Sequence, residues 1–115
     1  ATWEGSIATL HPNPHMVEDF ADAHFALALA RIECHYFVNQ CFLSSNQLLE
    51  NMHKISHLPG IIVHGRYDVI CPAEQAFEVH ELWEECQLHI VRDAGHAQQE
   101  STGRVLARAL EPLGV

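Results

Sequence analysis

From Gly60 to Pro72 the chain reads GIIVHGRYDVICP: an apolar, β-branched run, then a glycine, an acid and a proline. A run of this length stopped by Gly and Pro reads as a buried strand that feeds a loop and a helix. Asp68 falls at the strand's carboxyl end, the edge of an open α/β sheet where ligands bind and chemistry is done. A second run, Leu88 to Val91, passes into RDAGH and brings His96 to the same kind of edge, 28 residues after Asp68. One helix fits between the two strands. A strand–helix–strand unit of this kind sets the ends of two parallel strands side by side.

At 115 residues with 48% hydrophobic composition, the chain has room for one modest core, a single domain or part of one. A formal charge of −9 with only 6 Lys and Arg argues against nucleic acid, whose phosphates call for clustered basic residues. No apolar run approaches the roughly 20 residues of a membrane span, and no basic-then-apolar leader opens the chain. A soluble, cytoplasmic protein is expected. Cys34, Cys41, Cys71 and Cys86 form no C-x-x-C pair and are expected to be free thiols. The opening ATWEG has no initiator Met, so the chain is read as a piece of a longer protein.

In chain order, residues 1–10 suggest a helix stopped near Gly5, and His11 to His15, with two prolines, a turn or linker. From Met16 to about Gln40, Val17, Phe20, Ala21, His24, Phe25, Ala28 and Ile32 recur at helical spacing. Within that stretch Arg31 and Glu33 stand among apolar and aromatic residues instead of on a wet face, as though something binds there. A short helix with Leu48, Leu49, Met52 and Ile55 on one face follows the Ser44–Asn46 capping candidates. After Pro72 a helix is expected with Ala76, Phe77, His80 and Trp83 inward, and a last helix over about 102–110. Residues 1–57 are therefore helical, whereas 58–115 read β-α-β-α. Two strands alone leave sheet edges open, so the missing strands must come from elsewhere.

Asp68 alone is equally well a helix cap, and His96 alone says little. Together, with one helix between, they match the Ser…Asp…His order of α/β-hydrolases. The residue types suit that chemistry: a histidine takes a proton from a nucleophile and returns it to a leaving group, while a carboxylate behind it fixes the tautomer and stabilises the imidazolium. Cys71 is either a thiol close to this pair or a small buried apolar residue. His53 and His57, with Glu50, have helical spacing but no further ligand, and read as solvated surface. No metal site and no cofactor are expected.

Four segments in order, WEG at 3–5, ARIECHYF at 30–37, GRYDVICP at 65–72 and LHIVRDAGH at 88–96, closely resemble the proline iminopeptidases. Those are α/β-hydrolases with a helical cap. The resemblance covers nearly the whole chain. It implies that 1–57 is part of the helical cap and 58–115 the C-terminal part of the hydrolase core, with its last two parallel strands. It further implies that Asp68 and His96 are the triad acid and base, that Glu4 and Glu33 hold the free amino group of an N-terminal proline, and that Phe37 contacts its ring. Paired carboxylates suit that role, because a peptide α-ammonium titrates near about 7.7–8.0 and adjacent negative charge keeps it protonated. For Glu33 the alternative is a salt bridge to Arg31 or simple solvation, and for Glu4 a surface position.

One element of the family pattern is missing. Ser6, Ser44, Ser45, Ser56 and Ser101 all lack the G-x-S-x-G setting, and no His-Gly-Gly segment offers an oxyanion hole. The expectation is thus the carboxyl-terminal portion of a serine aminopeptidase that releases N-terminal proline from peptides, inactive until joined to the part that carries its nucleophile. The alternatives are another capped hydrolase, such as an epoxide hydrolase or an esterase, and a non-catalytic interaction module.

Overall fold

The computed structural model describes residues 1–97 and 100–111. Its elements are α1 (Thr2–Ile7), α2 (Pro14–Ala21), α3 (Ala23–Val38), α4 (Gln47–Glu50), β1 (Gly60–Gly65), α5 (Ala73–Glu81), β2 (Cys86–Val91) and α6 (Glu100–Leu110). Single 3-10 turns stand at Gln40–Phe42 and Met52–Lys54. The strands pair in parallel, from Gly60 opposite Cys86 to Gly65 opposite Val91, and α5 and α6 both pack on them. This is an α/β arrangement, and the strand–helix–strand unit stands where the apolar runs put it. Its start is closed by the Trp83 indole, whose Nε1–H donates to the Leu58 carbonyl at 2.9 Å. A Cβ at Gly60 would run into that ring, so the glycine is what lets the indole lie over the strand's beginning.

Before β1 the structure differs from the expected pattern in four places, each for a local reason. The long helix foreseen from Met16 is two helices, because Asp22 takes an extended backbone and accepts from Phe25 N–H at 2.8 Å, ending α2 and capping α3. Phe20 and Phe25 meet edge to face across the break, with centroids 5.2 Å apart. Helix α2 begins two residues earlier than expected, inside the foreseen turn, with Pro14 in its first turn and Asn13 accepting from Met16 N–H. Helix α1 runs through Gly5 instead of stopping there. A Cβ on that glycine would sit 2.9 Å from Phe20 Cβ, so Gly5 permits the close approach of α1 and α2. The helix expected through Ile55 ends at Glu50, where Asn51 Nδ2 donates to the Gln47 carbonyl and the backbone tightens into the 3-10 turn.

Little of the chain is deeply buried. Among the described residues the core consists of Ala8, Met52, Ala76, Cys86, Val91 and Ala94, with no large side chain fully enclosed, and Phe77, expected inward, is half exposed. The accessible surface is 8521 Å², against about 6,300 Å² for a compact chain of this mass. The radius of gyration is 16.1 Å, where about 13 Å is usual for this length. Much of the excess lies along α3 and the turn after it, where Leu27, Ile32, Tyr36, Phe37, Val38 and Phe42 are all exposed. Among the described residues no helix is long and apolar enough to cross a membrane.

Candidate active site

At the carboxyl end of the sheet the two strand exits are laced together. Arg66 N–H donates to the Val91 carbonyl and Tyr67 N–H to the Ala94 carbonyl, both at 2.9 Å. This lacing leaves no room for a side chain at Gly65, whose Cβ would collide with the Gly95 carbonyl oxygen. The chain then turns on Asp68. Its Oδ1 accepts from Ile70 N–H at 3.0 Å and Cys71 N–H at 2.8 Å, a side-chain-capped turn that spends one carboxylate oxygen on the backbone. The other oxygen, Oδ2, accepts from His96 Nδ1 at 3.0 Å. The Asp68 side chain is only 5% exposed and that of His96 39%.

The electrostatics follow from these contacts. Burial acts to raise the Asp68 carboxyl, but the Cys71 N–H, the His96 ring and the Ile70 N–H, with charge on His96, outweigh it and hold the carboxyl below its ordinary range. An ionised carboxylate can only accept, so the bond assigns the proton of the neutral His96 ring to Nδ1 and leaves a lone pair on Nε2. The pair can therefore take a proton at Nε2 and stabilise the cation so formed.

His64 was not singled out by the sequence. It lies on β1, four residues before Asp68, and its side chain is 17% exposed. Its Nε2 donates to the Cys71 carbonyl at 2.9 Å and stands 3.6 Å from Asp68 Oδ2. A polar residue inside an otherwise apolar strand was the available signal. Cys71 contributes its backbone to this loop, while its thiol is exposed and is pushed up by partial burial and by the Asp68 charge, which disfavours the reactive thiolate. All four cysteines are free.

The loop carrying His96 is also bound to α1. Ala97 N–H donates to the Ala8 carbonyl at 2.7 Å, and a Cβ on Gly95 would lie 3.0 Å from that same oxygen. One turn back from Ala8 is Glu4, half-buried on α1. Glu33 is half-buried on α3, and Phe37, one turn later, is 68% exposed. Helix α2 touches both α1 and α3. The structure thus joins Asp68 to His96 directly, whereas no hydrogen bond or ion pair among the described residues links Glu4, Glu33 or Phe37 to that pair. None ties Glu33 to Arg31 either. Among the described residues no cluster of three or more His, Cys, Asp or Glu is placed to hold a metal ion; His53 Nδ1 instead donates to the Glu50 carbonyl at 3.0 Å.

Comparison with known proteins adds a family. No family model matches the chain. A proline iminopeptidase of Xanthomonas citri is 48% identical over 101 residues, which make up 87% of this chain and 32% of that protein. One of Arabidopsis thaliana is 50% identical over 99 residues, 85% of this chain and 26% of that protein. One of Neisseria gonorrhoeae is 40% identical over 115 residues, 98% of this chain and 36% of that protein. The chain spans about a third of the length of the curated relatives it matches. Over nearly all of its residues, this sequence belongs with the proline iminopeptidases.

Proposed function

We propose that the complete protein is a serine aminopeptidase of the α/β-hydrolase fold that releases N-terminal proline from peptides. Residues 58–115 would belong to its core and 1–57 to a helical cap. The observation that carries this reading is the 3.0 Å bond between His96 Nδ1 and the buried Asp68 carboxylate, at the ends of adjacent parallel strands, in a chain whose relatives are named proline iminopeptidase. His96 Nε2 takes the proton of a serine hydroxyl as it attacks the first peptide carbonyl and then gives it to the departing amine; Asp68 orients the ring and balances its charge. The serine lies in the part of the relatives that this chain does not span. Glu4 and Glu33 hold the α-ammonium of the substrate, and Phe37 lies against its pyrrolidine ring. The α1 contact with the His96 loop supports this division of labour, since it ties the helix bearing one anchor to the loop bearing the base.

The test is a chimera in which these residues replace the matching third of the Xanthomonas citri relative. It is expected to cleave a proline anilide. Glu33→Gln, which removes a charge-assisted contact, is expected to lower kcat/KM for that substrate by about 10-fold to 100-fold and to leave hydrolysis of a neutral ester nearly unchanged. Equal losses on both substrates would remove the anchor role. A chimera active on an epoxide or an ester but not on the anilide would point to another capped hydrolase.

A further inference from the structure

We propose that His64 is a positioning residue of this site: by holding the Cys71 carbonyl, its imidazole fixes the turn that aims Asp68 at His96. The inference rests on the catalytic reading of the Asp68–His96 pair. Apart from His96, the hydrogen bonds of the Asp68 carboxylate are local, to Ile70 and Cys71 N–H. Its aim is therefore only as good as the placement of residues 66–71. The first part of that turn is pinned to the exit of β2 through Arg66 and Tyr67. At the far end, the bond that returns the turn to the sheet is the one from His64 Nε2 to the Cys71 carbonyl. Because β1 is paired with β2 along its length, the ring stands on a rigid element and carries that rigidity to the carboxylate.

The same ring lies beside the oxygen that bonds His96, with Nε2 3.6 Å from Asp68 Oδ2. At 17% exposed it also covers that oxygen, keeping water from competing for the acceptor. A carbonyl can only accept, so the bond requires hydrogen on Nε2. Both the neutral Nε2–H ring and the doubly protonated ring supply it, and the brace holds in either charge state. Gln offers a donor at the position of Nε2, whereas Asn is one methylene too short to reach the carbonyl.

The expected results separate the brace from the aminopeptidase reading. In the 115-residue chain, the Asp68 carboxyl is followed by carbon-detected NMR across acid pH. Both His64→Asn and His64→Gln remove the ring's charge beside Oδ2, but His64→Asn is expected to move the titration further upward, as the Ile70 and Cys71 donors also loosen. In the chimera, His64→Asn is expected to lower kcat by about 10-fold to 100-fold, the cost of a misplaced catalytic group, with KM held within about twofold. His64→Gln restores most of the loss. An Asp68 titration that moves no further in His64→Asn than in His64→Gln would overturn the proposal, as would equal losses in the two variants that follow their melting temperatures. If the unsubstituted chimera does not cleave the proline anilide, the aminopeptidase reading falls, and the carboxyl titration alone still decides whether His64 braces the turn.

Discussion

The carboxyl edge of the sheet and the helix α3 are built on opposite principles. At the sheet edge the contacts are specific: both oxygens of Asp68 have partners, the strand exits exchange backbone bonds, and glycines at 65 and 95 let main chains touch. Along α3, Phe25, Leu27, Ile32, Tyr36, Phe37 and Val38 leave apolar surface exposed. The turn that follows passes through three residues with positive φ, Gln40, Cys41 and Phe42, a geometry costing about 1–2 kcal/mol for each non-glycine residue. Phe42 packs against His35 and Tyr36 across this turn, with centroids 5.4 and 5.6 Å apart, which returns part of that cost. Precision is concentrated around the Asp68–His96 pair. The exposed apolar side chains lie along α3 instead, in a chain that spans about a third of the length of its relatives.

The sharpest way to break this contrast is to fill the gap between the strand exits. Gly65→Ala places a methyl group on the Gly95 carbonyl, a backbone atom that cannot swing aside. It is expected to cost about 3 kcal/mol, the upper end of overpacking penalties, read as a lowered urea midpoint with unchanged slope. Gly103 in α6 has nothing within 4 Å of where its Cβ would be. Gly103→Ala is expected to stabilise by about 0.5–1 kcal/mol through helix propensity. Similar effects at the two glycines would show that the strand exits are not the tight region described.

A smaller effect tests the charge at that edge. The Asp68 carboxyl is held below its ordinary range when folded, so it contributes stability above the pH at which an unfolded aspartate titrates. That contribution is lost as pH falls through the folded value. Urea midpoints measured from neutral to acid pH are expected to fall more steeply for the parent chain than for Asp68→Asn, which starts lower and lacks this component. Parallel curves would mean that the backbone donors and His96 do not favour the ionised form.

How much of this was legible in the sequence depended on whether the signal was local. The βαβ unit was readable because apolar runs, Pro72 and the glycine before the loop act over a few residues, and the spacing of Asp68 and His96 follows from its topology. The break at Asp22 was also locally encoded, since Asp is a strong cap, but helical periodicity on both sides masked it. His64 showed only as a polar residue inside an apolar strand, because its role comes from a carbonyl seven residues away that the turn brings back. The exposure of Phe77 and α3 could not be read at all. An apolar side chain reports that it is to be buried, not by what.

Phe37 probes the loose side of the comparison with the smallest expected effect on stability. Its ring is 68% exposed, so truncation opens no cavity and withdraws little area from a packed interior. Phe37→Ala is expected to shift the stability of this chain by no more than about 0.5 kcal/mol, as for surface substitutions generally. If the ring faces a bound pyrrolidine, the same change in the chimera raises KM for a proline anilide by about 10-fold, the value of burying part of an aromatic side chain, and leaves kcat for an ester unchanged. A loss of about 2 kcal/mol or more in the isolated chain would instead place Phe37 within its own core, and α3 would then belong with the well-packed region from which it has been distinguished.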